Sequence, residues 1–277
     1  MSDAICRYGK SIYQHGPYND RIYLMEISGD DVPDIISLFD EISEKNKYSK
    51  IFVKIPASVQ PEFLEHGYRI EARIPGLYNG IEDGIFMAKY PDESRSRGVD
   101  MSEIQSIIRE SIKRAGKRSK SELPSGYVIR ECVPEDAEAI AKLYGKTYES
   151  YPFPIMDPGY IKNTMKDNFR YFSVRTNNNL VAVASTEMHM EEANVEMTDF
   201  ATDSRNTGMN LAGHLLECME REMRKGGMRV AYTIARAQYY PINITFARAG
   251  YRYGGTLLNN TNICGSFESM NVWFKTL

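Results

Sequence analysis

Apolar residues alternate with polar ones over RIYLMEIS (21–28) and then recur at helical spacing through DDVPDIISLFDEISEKN (30–46), behind an acidic, proline-containing start. That change of period predicts a strand followed by a helix. KIFVKIP (50–56) reads as a second strand, followed by a short helix ending FLEHGY, a strand YRIEARIP, a turn LYNGIEDG and a strand GIFMAKY. Residues 1–90 are therefore expected to form an α/β unit. From Pro91 to Pro124 the composition turns to Ser, Arg, Lys and Glu, yet Met101, Ile104, Ile107, Ile108 and Ile112 keep one helical face. A linker carrying an amphipathic helix follows for 91–124. Its basic tail, KRAGKRSKSE (113–122), is read as a solvated face rather than a dock for an acidic partner.

The third segment, 125–277, opens with the strand-like GYVIRE and a helix whose Ala137, Ile140, Ala141, Leu143 and Tyr144 share a face, with Pro134 and Glu135 suited to a first turn. A Pro-rich loop (YPFPIMDPGY) and a second short helix come next. Strands are expected at YFSVRT, LVAVASTEMHM and VEMTDFAT, then a long helix, a strand RVAYTIA, a helix PINITFARAGY, and strands RYGGTLL and MNVWFK. A weak internal echo links the halves: Phe63-Leu-Glu-His-Gly67-Tyr68 leads into a strand as Phe246-Ala-Arg-Ala-Gly250-Tyr251 does. If it reflects ancestry, the first unit is a degenerate partial copy of the last.

An apolar fraction of 42% over 277 residues is enough for a proper core, and a net charge of −3 supplies no field for nucleic acid or anionic membrane. Neither is expected as a partner. Cys6, Cys132, Cys218 and Cys264 form no C-x-x-C pair, which argues against zinc and a disulfide framework and for reduced thiols in a cytoplasmic setting. There is no apolar run of about eighteen residues, and the start MSDAICRYGK lacks the apolar region of a secretory signal. Gly145-Lys146-Thr147 resembles the end of a P-loop but has Ile140 where glycine is needed. His189-Met190-Glu191 lacks the C-x-x-C of a zinc deaminase, and no G-x-G-x-x-G follows a strand. No metal is expected.

The turn before the long helix, TDSRNTGMNLAG, carries more chemistry. Small polar residues at a helix mouth leave its first N–H groups open, and these with the positive dipole end suit a phosphate. The order β-α-α-β-β-β-α-β-α-β-β over 126–275 resembles the GCN5-related N-acetyltransferase (GNAT) superfamily, a mixed, mostly antiparallel sheet flanked by helices. There this turn holds the pyrophosphate of acetyl-CoA. Against the pattern Arg/Gln-x-x-Gly-x-Gly/Ala, the chain has Thr207, Asn210 and Ala212. Asn tolerates positive φ and Thr still offers a hydroxyl. The resemblance assigns acetyl-CoA contacts to Phe200, Ala201, Thr202, Thr207, Gly208, Met209, Asn210, Leu211 and Ala212, and to Asn243 and Phe246 beside the CoA arm. Phe246 stands where relatives carry a general-acid tyrosine, so Tyr239 and Tyr240 become candidates for that role.

RIYLMEI, KIFVKIPA, GYRIEARIPGLYNGIEDGIFMAKY, EMTDFAT, GGTLLNN and MNVWFK together resemble the β-lysine N-acetyltransferase family. The resemblance implies acetylation of the ε-amine of β-lysine to Nε-acetyl-β-lysine, a compatible solute. An ε-amine with pKa about 10.4 must lose a proton first, a handicap of roughly 4 to 5 kcal/mol at pH 7. Glu196 on the central strand lies six residues before Thr202, a spacing that resembles that of the base glutamate in histone-acetylating GNAT members, and the resemblance makes it the expected base. Alternation puts Glu196, Thr198, Phe200 and Thr202 on one face and Asp199 on the other. Glu187 and Asp199 are alternative bases or ammonium ligands, and Glu268 and Asn271 could line the amine pocket. Arg130, Arg170, Arg175, Arg236 and Arg252 remain open for the substrate carboxylate. The rival readings are a GNAT enzyme for a polyamine, a protein lysine or an aminoglycoside, and a non-catalytic acyl-CoA-binding module. A homodimer is possible.

Overall fold

The computed structural model describes residues 3–117 and 122–277. The strands are β1 (Ala4–Tyr8), β2 (Ser11–Gly16), β3 (Arg21–Glu26), β4 (Lys50–Pro56), β5 (Arg69–Tyr78), β6 (Glu82–Lys89), β7 (Tyr127–Glu131), β8 (Phe169–Thr176), β9 (Asn179–His189), β10 (Asn194–Thr202), β11 (Val230–Arg236), β12 (Arg252–Ile263) and β13 (Ser266–Thr276). The helices are α1 (Asp34–Asn46), α2 (Gln60–Glu65), α3 (Met101–Ile112), α4 (Ala137–Thr147), α5 (Pro158–Thr164), α6 (Leu211–Lys225) and α7 (Tyr240–Arg248). All thirteen strands join one sheet, in the order β1-β2-β3-β4-β6-β5-β12-β13-β11-β10-β9-β8-β7.

The two halves repeat one plan. In the first, β3 runs parallel to β4, β4 antiparallel to β6, and β6 antiparallel to β5. In the second, β10, β11, β13 and β12 pair in the same senses. The sequence echo marks equivalent joints: Tyr68 N–H donates to Phe63 O and Tyr251 N–H to Phe246 O, both at 3.1 Å. Gly67 (φ 83°) and Gly250 (φ 90°) make the left-handed step, and each Phe–Tyr pair packs edge to face, at 5.1 and 4.9 Å.

The halves meet where β5 and β12 pair, at Gly255 opposite Ala72. Around that seam Phe52, Ile74, Phe86, Val230, Leu257 and Val272 form one buried cluster drawn from both halves. Each such side chain contributes about 1.5–3 kcal/mol on burial, so neither half completes its core alone. Alternation along β3 and β4 turns Ile22, Leu24, Ile51 and Val53 into the cluster containing Phe39 of α1 and Phe63 of α2. Arg21, Tyr23, Phe52 and Lys54 consequently face the other way.

β1 and β2 are absent from the sequence expectation because Gln14 is buried and Ile5 exposed, which hides the period. The linker helix α3 docks through Ile104 and Ile108 beside Ala237, but Met101 and Ile112 at its ends stay exposed, so the expected face is covered only at its centre. Residues 118–121 of the basic run lie outside the described residues; at its start Lys113 and Arg114 pair with Glu110. Among the described residues no helix is long and apolar enough to cross a membrane.

Candidate active site

β10 pairs with β11 only from Asn194 to Glu196. Beyond Glu196 the strands part, and the β11-facing edge of residues 197–202 has no strand partner; the Tyr148 hydroxyl reaches across to donate to Phe200 O at 2.7 Å. On the other edge the register with β9 slips between Thr198 and Ala201, where Asp199 takes φ 53°. This bulge corrects the expected alternation. Asp199 joins Glu196 and Thr198 on the cavity wall, while Phe200 turns to the opposite face and packs edge to face on Phe246 at 5.5 Å. Asp199 accepts from Ser185 Oγ at 2.6 Å and Tyr151 Oη at 2.7 Å, yet burial outweighs these bonds and raises its pKa.

The cavity has a volume of about 360 Å³ and is walled by both halves. Glu196 and Glu187 sit directly opposite each other on β10 and β9. At cross-strand separations of about 5 Å two like charges oppose each other. Burial, reinforced by Glu187, pushes Glu196 up to about 8, while Lys54 and a hydrogen bond from Tyr232 pull back. Burial likewise pushes Glu187 up to about 7, against the pull of Lys54. Lys54 Nζ lies 3.3 Å from Tyr232 Oη and 3.4 Å from His189 Nε2. The lysine charge first, and burial second, hold His189 down at about 2, so its ring is neutral and accepts from the lysine.

A stability prediction follows for Glu187. Its folded-state pKa lies above the ordinary glutamate value of 4.5, so its contribution is present below that value and is lost as pH rises through about 7. Glu187→Gln stays neutral and should raise the melting temperature more at pH 8 than at pH 5, with a gain of roughly 1–3 kcal/mol at the higher pH. Equal shifts at the two pH values would contradict this.

At the mouth of α6, Asn210 adopts the left-handed conformation (φ 55°, ψ 27°), as its residue type allows, and no side chain caps the first turn. Gly208 also has positive φ, at 82°. Thr207 Oγ1 donates to Ser204 O at 3.0 Å, Met209 is exposed, Leu211 is buried in the core and Ala212 is half-buried. No acidic residue occupies this first turn, whereas α1, the equivalent helix of the first half, carries Asp34 there, after Asp30 and Asp31. Asn210, Gly213 and His214 face Thr245 and Arg248 across a second small pocket of about 40 Å³.

Other expected residues are engaged elsewhere. Asn243 is buried: its Nδ2 donates to Arg236 O and Tyr239 O, and its Oδ1 accepts from Asn271 Nδ2 and Trp273 Nε1, all at 2.9 Å. Asn271 is thereby spent on Asn243 and on Thr256 Oγ1 at 2.7 Å. Phe246 is fully buried. Glu268 is held by Arg236 at 2.5 and 2.6 Å. Arg130 and Arg175 share Asp136, Arg170 holds Glu131, and Arg252 lies over the Phe274 ring. Tyr239 and Tyr240 are exposed at the start of α7, and neither lines the cavity. The cavity instead contains Arg21, Lys54, Tyr232 and Asn260, which sequence reasoning missed. The available signal was a lysine inside the apolar strand KIFVKIP.

The chain whose strands part beyond a half-buried carboxylate, beside an uncapped helix mouth, is an N-acetyltransferase, as its curated relatives show. No protein-family model matches the chain. It is 38% identical over 273 residues to beta-lysine N(6)-acetyltransferase of Methanococcus maripaludis, covering 99% of this chain and 98% of that one. It is 32% identical over 271 residues to beta-lysine N(6)-acetyltransferase of Methanosarcina mazei (88% and 100%) and 30% identical over 270 to N-acetyltransferase YodP of Bacillus subtilis (96% and 96%). Among solved structures, an N-acetyltransferase from Staphylococcus aureus Mu50 overlays with a TM-score of 0.49 at 17% identity, covering 55% of this chain and 99% of that one. The chain belongs to the beta-lysine N(6)-acetyltransferase family.

Proposed function

We propose that this protein transfers the acetyl group of acetyl-CoA to the ε-amine of β-lysine, giving Nε-acetyl-β-lysine. The observation that carries this reading is the position of Glu196: half-buried on the cavity wall, raised to about 8, at the last paired residue before β10 and β11 part. Acetyl-CoA, when bound, supplies the acetyl thioester. The open amides from Gly208 to Ala212, at the positive end of α6 and with no acid in the first turn, fit its diphosphate, and Arg248 nearby adds a cation. The unpartnered edge from Phe200 to Thr202 offers N–H groups to the thioester oxygen as it gains charge. Glu196 takes the ammonium proton, and Glu187 and Asp199 hold the ammonium beside it. Asn243 pins the start of α7 and Phe246 supports Phe200 from below, so both act through the residues they position. Tyr239 and Tyr240 stay outside the cavity and take no part in this reading.

A CoA-release assay over β-lysine, a polyamine, a lysine peptide and an aminoglycoside tests the substrate. We expect β-lysine to lead by at least about tenfold in kcat/KM. Faster turnover of another amine replaces the substrate, and calorimetry showing no acetyl-CoA binding removes the reading altogether.

A further inference from the structure

The end of the cavity away from the carboxylates holds two polar groups that the protein leaves unmatched. Arg21, at the start of β3, is 3% exposed; its Nη1 donates to Asn260 O and, at 3.2 Å, to Thr261 Oγ1, while its Nε has no partner. Among the described residues no carboxylate forms a salt bridge with it, and Asp3 acts on its charge only through space. Its guanidinium lies 5.2 and 5.7 Å from the Tyr23 and Phe52 ring centroids. Asn260, 2% exposed, likewise keeps Oδ1 without a partner. A buried donor and a buried acceptor left open cost free energy unless something fills them, and both residues line the cavity.

Separation supplies an independent constraint. Arg21 is in register with Lys50, and Lys54, which contacts Tyr232 and His189 at the carboxylate end, lies four residues further along β4. Four residues of strand span about 13 Å. An extended chain of six bonds, the distance in β-lysine from the ε-nitrogen to the carboxylate carbon, covers about 7 Å. A hydrogen-bond reach of about 3 Å at each end brings that to about 13 Å.

From these observations we propose that Arg21 and Asn260 form a head-group subsite for a β-amino acid, Arg21 Nε donating to the carboxylate and Asn260 Oδ1 accepting from the β-ammonium. The inference rests on the β-lysine reading and adds that the first half of the chain, through Arg21, shares in selecting the substrate with Asn260 of β12. A carboxylate and an ammonium separated by two carbons match the adjacent donor and acceptor, and the far amine then reaches Glu196. Diamines without a carboxylate leave Arg21 unpaired and are disfavoured.

The test uses the full chain with saturating acetyl-CoA and three amines: β-lysine, 6-aminohexanoate, which lacks the β-amine, and 1,4-diaminopentane, which lacks the carboxylate. Relative to β-lysine, the parent protein should lose about 100-fold in kcat/KM on 1,4-diaminopentane and about 10-fold on 6-aminohexanoate. Arg21→Met should cut β-lysine turnover about 100-fold, mainly through KM, and leave 1,4-diaminopentane unchanged; Arg21→Lys should raise KM with kcat held. Asn260→Leu should bring β-lysine and 6-aminohexanoate level. Equal rates of the parent on β-lysine and 1,4-diaminopentane overturn the proposal without any variant, as does an equal loss on both in Arg21→Met. Turnover of an unrelated amine with none of β-lysine instead overturns the functional reading, and this inference with it.

Discussion

Glu196→Gln should lower kcat by about 100- to 10,000-fold while calorimetry finds acetyl-CoA affinity unchanged. The size follows from proton affinity. A carboxylate at the ordinary value of 4.5 lies about 6 units below an ε-ammonium, an uphill transfer of roughly 8 kcal/mol. Raised to about 8, Glu196 closes the gap to about 2.5 units, or roughly 3 kcal/mol. The same shift fixes the sign of the pH dependence. The carboxylate is the active form, so kcat/KM should climb as pH rises through about 8 and then level off. Glutamine keeps the volume and the hydrogen bond to Tyr232 but cannot take the proton, so the variant should lose the rise together with the rate. An unchanged rate, or a parent profile flat between about pH 6 and 9, assigns the base elsewhere.

The neighbours of Glu196 explain why the local sequence pointed to it as the candidate base and to little else around it. Position six before the strand end, next to a helix mouth of small residues, is information within one strand and one turn, and both were legible. Asp199 was misplaced because a bulge breaks the two-residue period, and nothing in VEMTDFAT signals a residue at φ 53°. Asn243 and Asn271 have the residue types of binding groups, but their amides are consumed by each other and by Trp273, a pairing between α7 and β13 that no local pattern reveals. Arg21 and Lys54 could not be assigned because their partners lie more than a hundred residues away: Asn260 for one, His189 and Tyr232 for the other. The Phe-x-x-x-Gly-Tyr echo was the one long-range feature readable in the chain. It marked the repeated plan, and that plan brings β5 against β12 and the first half over the second.

That contact makes Gly255→Ala the most disruptive single methyl the fold offers. Gly255 is the register point between β5 and β12, at φ 147°, where side chains are strained. A Cβ there would lie 2.1 Å from Glu71 O and 2.6 Å from Ala72 Cα, backbone atoms that cannot swing aside. Either the strands separate or the strain is held in the seam, and we expect roughly 3–5 kcal/mol of destabilisation and a melting temperature lower by about 10 °C. Gly145→Ala is the matched control: its Cβ meets nothing within 4 Å in α4, so helix propensity should leave stability equal or slightly higher. Kinetics should separate the two substrates in any Gly255→Ala protein that remains folded. The mouth of α6 lies wholly in the second half, so acetyl-CoA binding should persist, while the KM for β-lysine rises as Arg21 and Lys54 shift away from Glu196. Melting and KM values matching the parent would mean that the seam yields freely, and that the first half does not hold the far wall of the cavity in place.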